Sequence, residues 1–384
     1  MPLVELTGYP LYLYSMTAEH APVGAIKGRG ALSNRDSRYR RQRRYDDPGG
    51  WDGGAELDAA TGEELPPRHP ATCVRIDPVR TIISRNQSPD LPFNQSINPY
   101  RGCEHGCVYC YARPSHAWLD HSPGLDFETL LYARADAGAL LEAELRRPGY
   151  APELIALGTN TDPYQPIERE QRITRALLAK LLEFRHPVSI TTKGALLVRD
   201  LDLLVELARD ELVAVNVSLP TLDNALKRTL EPRAASPAAR LRAIEALARA
   251  GVPVSVMIAP VIPAVTDHEL EEVVAAAARA GARGASYILL RLPLEVRDLF
   301  QEWLAAHQPL RAAHVMSLVR DMRGGRDNEP RFGHRMRGCG PLAELIAARF
   351  HAAVRRHGLD RHERPALSTS HFRVPPASGQ LALL

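Results

Sequence analysis

The sequence is poor in cysteine and contains no long apolar run. No stretch approaches the roughly 18 uncharged apolar residues that a membrane-spanning helix needs, which excludes a membrane channel. The short apolar segment near the start is interrupted by Glu5, Gly8 and Pro10 and has no basic segment before it, so we expect no secretory signal. Five cysteines among 384 residues are too few for a disulfide framework. We therefore expect a cytoplasmic protein without a membrane partner.

The positive charge of the chain is concentrated in one segment. Residues 27–44 contain eight basic residues and one acidic residue, a net charge of +7, whereas the whole chain has a net charge of only +3. Tyr39 and Tyr45 accompany this run. Two interpretations stay open: a segment that binds DNA or RNA through phosphate contacts and base stacking, or a solvated, flexible arm.

The pattern of apolar residues divides the chain into three regions. Residues 1–92 are rich in Gly, Pro, Arg and Asp and predict an irregular, basic N-terminal extension. In residues 93–300, apolar strand-like runs alternate with amphipathic stretches, which predicts a core domain of repeated β-α units. Short apolar strands in such units indicate a parallel sheet covered by helices, either a barrel or a doubly wound sheet. Residues 301–384 predict a helical C-terminal region with a polar tail.

The individual elements follow from the same periodicity. Strands are predicted at 154–158, 188–192, 213–218, 254–259 and 285–290. Helices are predicted at 170–185, 198–209, 237–250, 267–280, 295–307, 310–320 and 341–356. Ser236 followed by Pro237 predicts a helix N-terminus, and Thr266 with Glu269 predicts a capping box.

Three of the five cysteines lie within eight positions, just before the β-α units. Cys103, Cys107 and Cys110 have the spacing C-x3-C-x2-C, and Gly102 and Gly106 allow the loop to turn tightly. Three thiolates on one loop can bind three irons of a 4Fe–4S cluster and leave the fourth iron open for another ligand.

A second interpretation of this loop is a structural zinc site. It would have three cysteines and one histidine, recruiting His105 or His116. Zinc knuckles usually pair two C-x2-C elements, and this sequence contains one, so the pattern favours the open cluster.

The cysteine spacing, placed before repeated β-α units, resembles the radical S-adenosylmethionine (SAM) enzymes. Residues 98–111, 159–168 and 191–193 are similar to the spore photoproduct lyase branch, and residues 28–31 and 323–340 resemble its bacterial "DNA repair photolyase" subgroup. The resemblance implies a partial (βα)6 TIM-like barrel with the cluster loop at its mouth. It also implies that the reduced cluster cleaves SAM to methionine and a 5′-deoxyadenosyl radical, which abstracts a hydrogen atom from substrate.

Polar residues at the ends of the predicted strands are the candidates for binding SAM. Ligands of parallel α/β folds lie at the carboxyl ends of the strands. Lys193 suits the SAM carboxylate, and Thr161, Asp162, Asn216 and Ser218 suit its amine and hydroxyl groups. The resemblance implies SAM contacts for Lys193 and Ser218.

Tyr109, Tyr111 and Cys339 are the candidates for catalysis. The resemblance implies that tyrosines near the cluster motif contact SAM or relay the radical, although Tyr109 is equally suited to packing the loop. The lyases use a cysteine soon after the motif as hydrogen donor, and here none lies between Cys110 and Cys339. Cys339, between two glycines and near arginines, is a candidate donor or second-cluster ligand, or an inert small residue.

Three functions are therefore weighed. The leading one is a radical SAM enzyme acting on nucleic acid, by photoproduct-lyase-like repair or base modification, with an electron donor such as flavodoxin or ferredoxin. The second is the same chemistry on a protein or small metabolite. The third is a non-catalytic, zinc-binding module that recognises nucleic acid.

Overall fold

The computed structural model describes residues 26–39, 71–360 and 367–376. Within them the strands are β1 (Cys73–Ile76), β2 (Ser84–Arg85), β3 (Gln95–Ile97), β4 (Tyr100–Arg101), β5 (Leu130–Ala133), β6 (Ile155–Leu157), β7 (Val188–Thr192), β8 (Val213–Ser218), β9 (Val254–Val261) and β10 (Gly284–Leu289). The α-helices are α1 (Asp126–Thr129), α2 (Ala137–Leu145), α3 (Glu168–Gln171), α4 (Ile173–Glu183), α5 (Leu201–Arg209), α6 (Asn224–Leu230), α7 (Pro237–Arg249), α8 (Leu270–Arg279), α9 (Val296–His307), α10 (Ala312–Asp321) and α11 (Pro341–Arg356). None of these helices is long and apolar enough to cross a membrane.

The main sheet has seven strands in the order β10-β9-β8-β7-β6-β3-β2. From β3 to β10 every neighbouring pair is parallel, and β2 pairs antiparallel with β3. Six parallel strands in chain order are the arrangement of a partial (βα)6 barrel, which confirms the predicted fold class. The sheet is open, with β10 at one edge and β2 at the other.

The two faces of the sheet differ in chemistry. On one face, valine and isoleucine side chains from β7, β8 and β9 are buried against α4, α5, α7 and α8. On the other face the side chains are small or polar and only half-buried: Thr191 lies beside Asn216, and Asn216 lies beside Ser255. Burying an apolar face under helices stabilises the fold, whereas burying a polar face does not. The helices therefore pack on one side of the sheet. The polar face, called the open face below, is left accessible.

The periodicity predicted most elements and missed short ones. All five predicted strands are present within two residues of their predicted ends, but β3 was not predicted, because it has three residues and two of them are polar. The predicted helix at 170–185 is two helices, since Arg172 between them has a left-handed φ of 52°. The predicted helix at 198–209 begins as a 3-10 segment (Ala195–Asp200), and α6 lies where no helix was predicted.

One predicted helix cap is confirmed and the other is wrong. Ser236 accepts a hydrogen bond from the Ala239 amide at 3.2 Å, with Pro237 at the first helical position. The capping box of Thr266 and Glu269 does not form. The Glu269 carboxylate instead accepts hydrogen bonds from the distant Thr221, at its hydroxyl (2.8 Å) and at the amide of the next residue (2.6 Å).

The regions outside the sheet pack against the cysteine loop. Helix α9 buries Phe300 and Trp303 in a cluster that also contains Cys107, Val108 and Ala31. The predicted boundary between residues 300 and 301 falls inside α9, so the helical region begins at Val296. The first 92 residues are not wholly irregular, since β1 and β2 lie there, and β1 joins a second sheet of order β1-β5-β4.

Candidate metal centre

The three clustered cysteines lie on the loop that follows β3, at the carboxyl ends of the parallel strands. Cys103 and Cys107 are buried, Cys110 is half-buried, and all are free thiols. The backbone turns back at each of them: the Gly106 amide donates to Cys103 O (3.4 Å), the Cys110 amide to Cys107 O (3.2 Å) and the Arg113 amide to Cys110 O (3.2 Å). Gly102 and Gly106 have φ of 75° and 68°. Such left-handed backbone favours glycine, and the glycines therefore allow the tight loop expected from the sequence.

The chemistry of these thiols fits a cluster better than a single ion. Burial raises the pKa of Cys103 and of Cys107; the nearby Cys107 and Cys110 raise the pKa of Cys103 further, and Cys110 raises that of Cys107, so the three thiols lie near one another. In the part of the chain that the structure describes, no three His, Cys, Asp or Glu side chains are placed to bind one ion. The thiolates of a cubane cluster bind separate irons, so the arrangement suits a 4Fe–4S cluster, whose binding would displace their protons.

The two histidines proposed for a zinc site have other contacts. His105 Nδ1 lies 3.2 Å from Asp162 Oδ2. His116 Nε2 lies 2.9 Å from Leu130 O, and burial together with the nearby His121 lowers the pKa of His116 to about 4. Neither ring joins the cysteines, so the geometry disfavours the zinc interpretation.

Asp162 connects the cysteine loop to the ends of β6 and β7. Its carboxylate accepts hydrogen bonds from Thr192 Oγ1 (2.6 Å) and from the amides of Lys193 (2.7 Å) and Tyr164 (2.9 Å), and it faces His105. Burial alone would raise the pKa of Asp162, but His105 and these donors lower it to about 2. The carboxylate is therefore ionised and fully occupied by protein groups.

A buried ion pair lies beneath the loop on its other side. Glu231 and Arg240 pair with each other, and the Tyr109 hydroxyl donates to Glu231. Burial, the Glu231 charge and Cys107 raise the pKa of Tyr109, so its hydroxyl stays protonated. Lys193 Nζ lies 6.0 Å from the centre of the Tyr109 ring. Burial would lower the pKa of Lys193, but Cys107 and the carboxylates of Glu231 and Asp162 together raise it by more, so Lys193 stays charged.

Three of the predicted SAM-binding residues are engaged with protein groups. Thr161 Oγ1 donates to Tyr100 O at 2.9 Å, and the Asp162 carboxylate has the four contacts given above. Ser218 is buried, and its Oγ donates to Ala259 O at 3.3 Å. In this arrangement all three hold the loop and the strand ends together.

Lys193 and Asn216 are the predicted SAM-binding residues with uncommitted polar groups. Within residues 26–39, 71–360 and 367–376, neither the Lys193 ammonium nor the Asn216 amide makes a hydrogen bond or ion pair at bonding distance. Asn216 lies on the open face of the sheet beside Thr191, and Lys193 follows the carboxyl end of β7. The two groups are thus available at the side of the sheet where the cysteine loop lies.

The three predicted catalytic residues lie in different environments. Tyr109 is buried. Tyr111 is 48% exposed, and its hydroxyl donates a hydrogen bond to Thr159 O. Cys339 is exposed, and its Sγ donates to Met322 O at 3.6 Å. It lines a cavity of about 560 Å³ between β10 and α11. Among the residues the structure describes, no hydrogen bond joins Cys339 to the cysteine loop, so its role stays a prediction.

The segment from residue 28 to residue 38, called the N-terminal brace below, packs on the cysteine loop. A Cβ at Gly30 would lie 1.7 Å from Gly106 O, between two of the cysteines. The amides of Gly30 and Ala31 donate to the Glu128 carboxylate at 3.0 and 2.8 Å. Glu128 also pairs with Arg113 at 2.5 Å, and Arg113 in turn donates to Cys107 O at 2.9 Å. The brace and the loop thus share one buried carboxylate.

The basic residues of the brace are paired within the protein. Arg35 contacts Asp298 (3.2 Å) and Glu302 (2.6 Å), and Arg38 contacts Glu295 (2.7 Å), all three acids lying on or beside α9. The interpretation of this part of the basic segment as a free, flexible arm is therefore wrong. Residues 40–44, with four of the arginines, and Tyr45 lie outside the described residues.

The segment from residue 323 to residue 340, called the C-terminal strap below, reaches both edges of the open sheet. At β10, the Leu289 amide donates to Met336 O at 3.0 Å. Arg323 is buried and donates to four carbonyl oxygens, those of Leu289, Leu290, His334 and Arg335. At the other edge, Arg335 contacts Asp90 and Ser88, both at 2.6 Å, in the connection from β2 to β3. The strap spans the gap that the sheet leaves open.

Sequence reasoning missed the residues that hold the site together. They are Asn98, Arg113, Glu128, Gln165, Glu231 and Arg240. Their partners are 15 or more residues away in most cases, so local spacing gives no signal for them. The exception is Glu231, which directly follows α6 and lies nine residues before Arg240 in α7.

Known proteins resemble this chain over the sheet and the cysteine loop. The sequence model of the Radical SAM superfamily matches residues 97–277. An uncharacterized protein of Mycobacterium tuberculosis is 42% identical over 232 residues, which cover 60% of this chain and 68% of the relative. An uncharacterized protein of Methanocaldococcus jannaschii is 29% identical over 173 residues, covering 45% and 62%.

Among solved structures, spore photoproduct lyase has a similar fold. A mutant of that enzyme with bound AdoMet and dinucleoside spore photoproduct aligns with a TM-score of 0.53 and 14% sequence identity. The alignment covers 74% of this chain and 78% of the lyase chain. The family match and the cysteine loop at the mouth of six parallel strands together show that the chain belongs to the radical SAM superfamily.

Proposed function

We propose that this protein is an enzyme that cleaves SAM reductively at a 4Fe–4S cluster and acts on nucleic acid. The observation that carries the proposal is the set of Cys103, Cys107 and Cys110 on a glycine-turned loop, with Lys193 beside them. When bound and reduced, the cluster supplies the electron that cleaves SAM to methionine and a 5′-deoxyadenosyl radical. The chemistry requires a donor such as flavodoxin or ferredoxin and a reducing compartment, which we take to be the cytoplasm.

The chain's own residues would bind and orient the cofactors. Lys193 offers a charged ammonium for the SAM carboxylate, and Asn216 offers donors and an acceptor for its amine or ribose hydroxyls. Thr161, Asp162 and Ser218 would act through the backbone that they hold in place. Burial beside the Glu231–Arg240 pair keeps the Tyr109 hydroxyl fixed, so we assign Tyr109 to holding the loop.

Nucleic acid is proposed as the substrate on the basis of an exposed aromatic patch beside the basic segment. Tyr39 and Trp118 lie with ring centroids 4.7 Å apart and are 48% and 70% exposed, and the Arg38 guanidinium lies over Tyr39. The chain continues from this patch directly into Arg40, Arg41, Arg43 and Arg44. Exposed rings next to cationic side chains suit stacking on bases and contact with phosphate.

The position of Cys339 bears on whether the reaction is lyase-like repair or modification of a base. Repair as in the photoproduct lyases would need a hydrogen donor at the radical centre, and Cys339 lies instead in the cavity between β10 and α11. We therefore favour modification of a base over lyase-like repair.

The test is SAM cleavage by anaerobically reconstituted protein under dithionite, with and without single-stranded oligonucleotides deuterated in the bases and sugars. We expect 5′-deoxyadenosine to form and to acquire deuterium from the oligonucleotide. Cys107→Ala should abolish cluster binding, Lys193→Ala should weaken SAM binding with the cluster intact, and the exposed Cys73→Ala should change neither.

Two outcomes would contradict the proposal in different ways. Failure of the wild-type protein to form 5′-deoxyadenosine would refute the radical chemistry. Formation of 5′-deoxyadenosine without transfer of deuterium, and without binding of the oligonucleotide, would leave a protein or small metabolite as the substrate.

A further inference from the structure

Arg291 is partly buried and differs from the fully buried arginines in this part of the molecule. Arg113, Arg240 and Arg323 are each almost fully buried, and each guanidinium is surrounded by carbonyl oxygens or a carboxylate. Arg291 follows the carboxyl end of β10, and its buried Nε has no hydrogen-bond partner. Its one hydrogen bond within the described residues goes from a terminal nitrogen to the thioether of Met336 at 3.7 Å.

A buried arginine N–H without an acceptor destabilises the protein unless a ligand accepts its hydrogen bond. A guanidinium has five N–H donors, and burying one of them without an acceptor, as at Arg291 Nε, is unfavourable. No carboxylate in the described part of the chain lies within ion-pair distance of Arg291. Asp90, the acid near it, is paired with Arg335, and Arg335 adds a second positive charge nearby.

The position of Arg291 connects this unpaired charge to the reaction centre. Its guanidinium carbon lies 5.4 Å from the centre of the Tyr111 ring, and Tyr111 directly follows the cluster ligand Cys110. Apart from the bond to Met336, no N–H donor of this guanidinium has a partner among the described residues, so its donors are available to another group. The exposed Tyr111 ring beside it offers a surface on which a base can stack.

We propose that Arg291 binds a phosphate group of the substrate at the mouth of the sheet, beside the exposed Tyr111 ring. The guanidinium fork matches the geometry of phosphate oxygens and is charged at every physiological pH. That the anion is a phosphate rests on the proposed function, in which the substrate is a nucleic acid. The phosphate belongs to a nucleic-acid backbone or to a free nucleotide, and the experiment distinguishes these sources.

The experiment measures binding by fluorescence anisotropy with the cluster-reconstituted full chain. The probes are a labelled single-stranded oligonucleotide, the same sequence with a neutral methylphosphonate backbone, and a labelled nucleoside monophosphate. Arg291→Met removes the charge, Arg291→Lys keeps the charge without the fork, and Arg249→Met, at an exposed position at the end of α7, is the control.

We expect Arg291→Met to weaken oligonucleotide binding about ten-fold and to lower the slope of log K against log salt by about 1, as loss of one phosphate contact should. The affinity of Arg291→Lys should lie between those of the wild type and Arg291→Met. The control variant should bind the oligonucleotide as the wild type does, and Arg291→Met should not change binding of the neutral probe. If only the monophosphate binds in an Arg291-dependent way, the phosphate site stands and the nucleic-acid substrate does not.

Two results would overturn the inference. One is wild-type affinity of Arg291→Met for both charged probes, while the wild-type protein binds them and cleaves SAM. The other is a loss of SAM affinity in Arg291→Met, measured by equilibrium dialysis, with unchanged affinity for the phosphate probes, because Arg291 would then be the partner of the SAM carboxylate.

Discussion

The N-terminal brace and the C-terminal strap both lie outside the part of the chain that matches the family model, and both are rich in glycine and arginine. They nevertheless act on different parts of the fold. The brace contacts the cysteine loop through Gly30 and the buried carboxylate of Glu128. The strap contacts the edges of the sheet through Arg323 and Arg335.

The two segments stabilise different features of the fold. The brace fills the space against Gly106 and gives the Arg113–Glu128 pair its remaining hydrogen bonds, so the shape of the metal centre depends on it. The strap supplies partners for the backbone of an edge strand, which would otherwise expose unpaired groups. We infer that the brace determines whether the cluster is bound, and that the strap determines the stability of the open sheet.

The largest expected effect comes from Gly30→Ala. Its new Cβ would lie 1.7 Å from Gly106 O, so the loop between Cys103 and Cys107 must move. We expect the cluster to be lost, with about 1–3 kcal/mol of destabilisation from overpacking. Iron and sulfide content after reconstitution measures the first effect, and urea unfolding measures the second.

The matched control lies in the same segment. A Cβ at Gly28 would meet nothing within 4 Å, although its φ of 82° is left-handed. Gly28→Ala should therefore cost about 1–2 kcal/mol of backbone strain and keep the cluster. Equal iron content in the two variants would show that cluster binding does not depend on the contact between the brace and the loop.

The second effect is expected in the strap. Arg323→Met removes the donor of the buried carbonyl oxygens of Leu289 and Leu290 and two part-buried hydrogen bonds, so we expect about 3 kcal/mol of lost stability in urea unfolding, with cluster content unchanged. Arg320→Met, which removes an exposed pair with Asp327, should cost less than about 1 kcal/mol. Loss of the cluster in Arg323→Met alone would show that strap and brace do not have separate functions.

The smallest effect is expected at the outer end of the brace. Arg35 is 40% exposed and pairs with Asp298 and Glu302. Arg35→Met should cost about 1 kcal/mol or less, and the cost should shrink as salt is added, because exposed ion pairs are screened. A cost above about 3 kcal/mol, independent of salt, would show that this pair stabilises the brace as much as Glu128 does.

Much of the fold was predictable because it is repetitive. Strands β7 to β10 are long enough to show their apolar pattern in the sequence, and each is separated from the next by an amphipathic helix. Strand β3 was not visible, since three residues show no periodicity. The capping box at Thr266 failed because a distant hydroxyl and amide bind the Glu269 carboxylate, and spacing along the chain contains no information about such partners.

The site was predictable in part for the same reason. The three cysteines and Lys193 are visible from local spacing and from their position after strands. The role of Asp162 was not, because its partners come from β7, from the loop after that strand and from the cysteine loop. Pairs such as Arg240 with Glu231 and Arg113 with Glu128 become recognisable as parts of the site only once the fold brings them beneath the loop.

We propose above that Cys103, Cys107 and Cys110 together hold an iron–sulfur cluster. The most direct measurement is the metal and sulfide content of protein purified and reconstituted without oxygen, for the wild type and for Cys107→Ala. We expect about four irons and four sulfides per wild-type chain and loss of both in the variant. One zinc per chain, or iron retained in the variant, would contradict it.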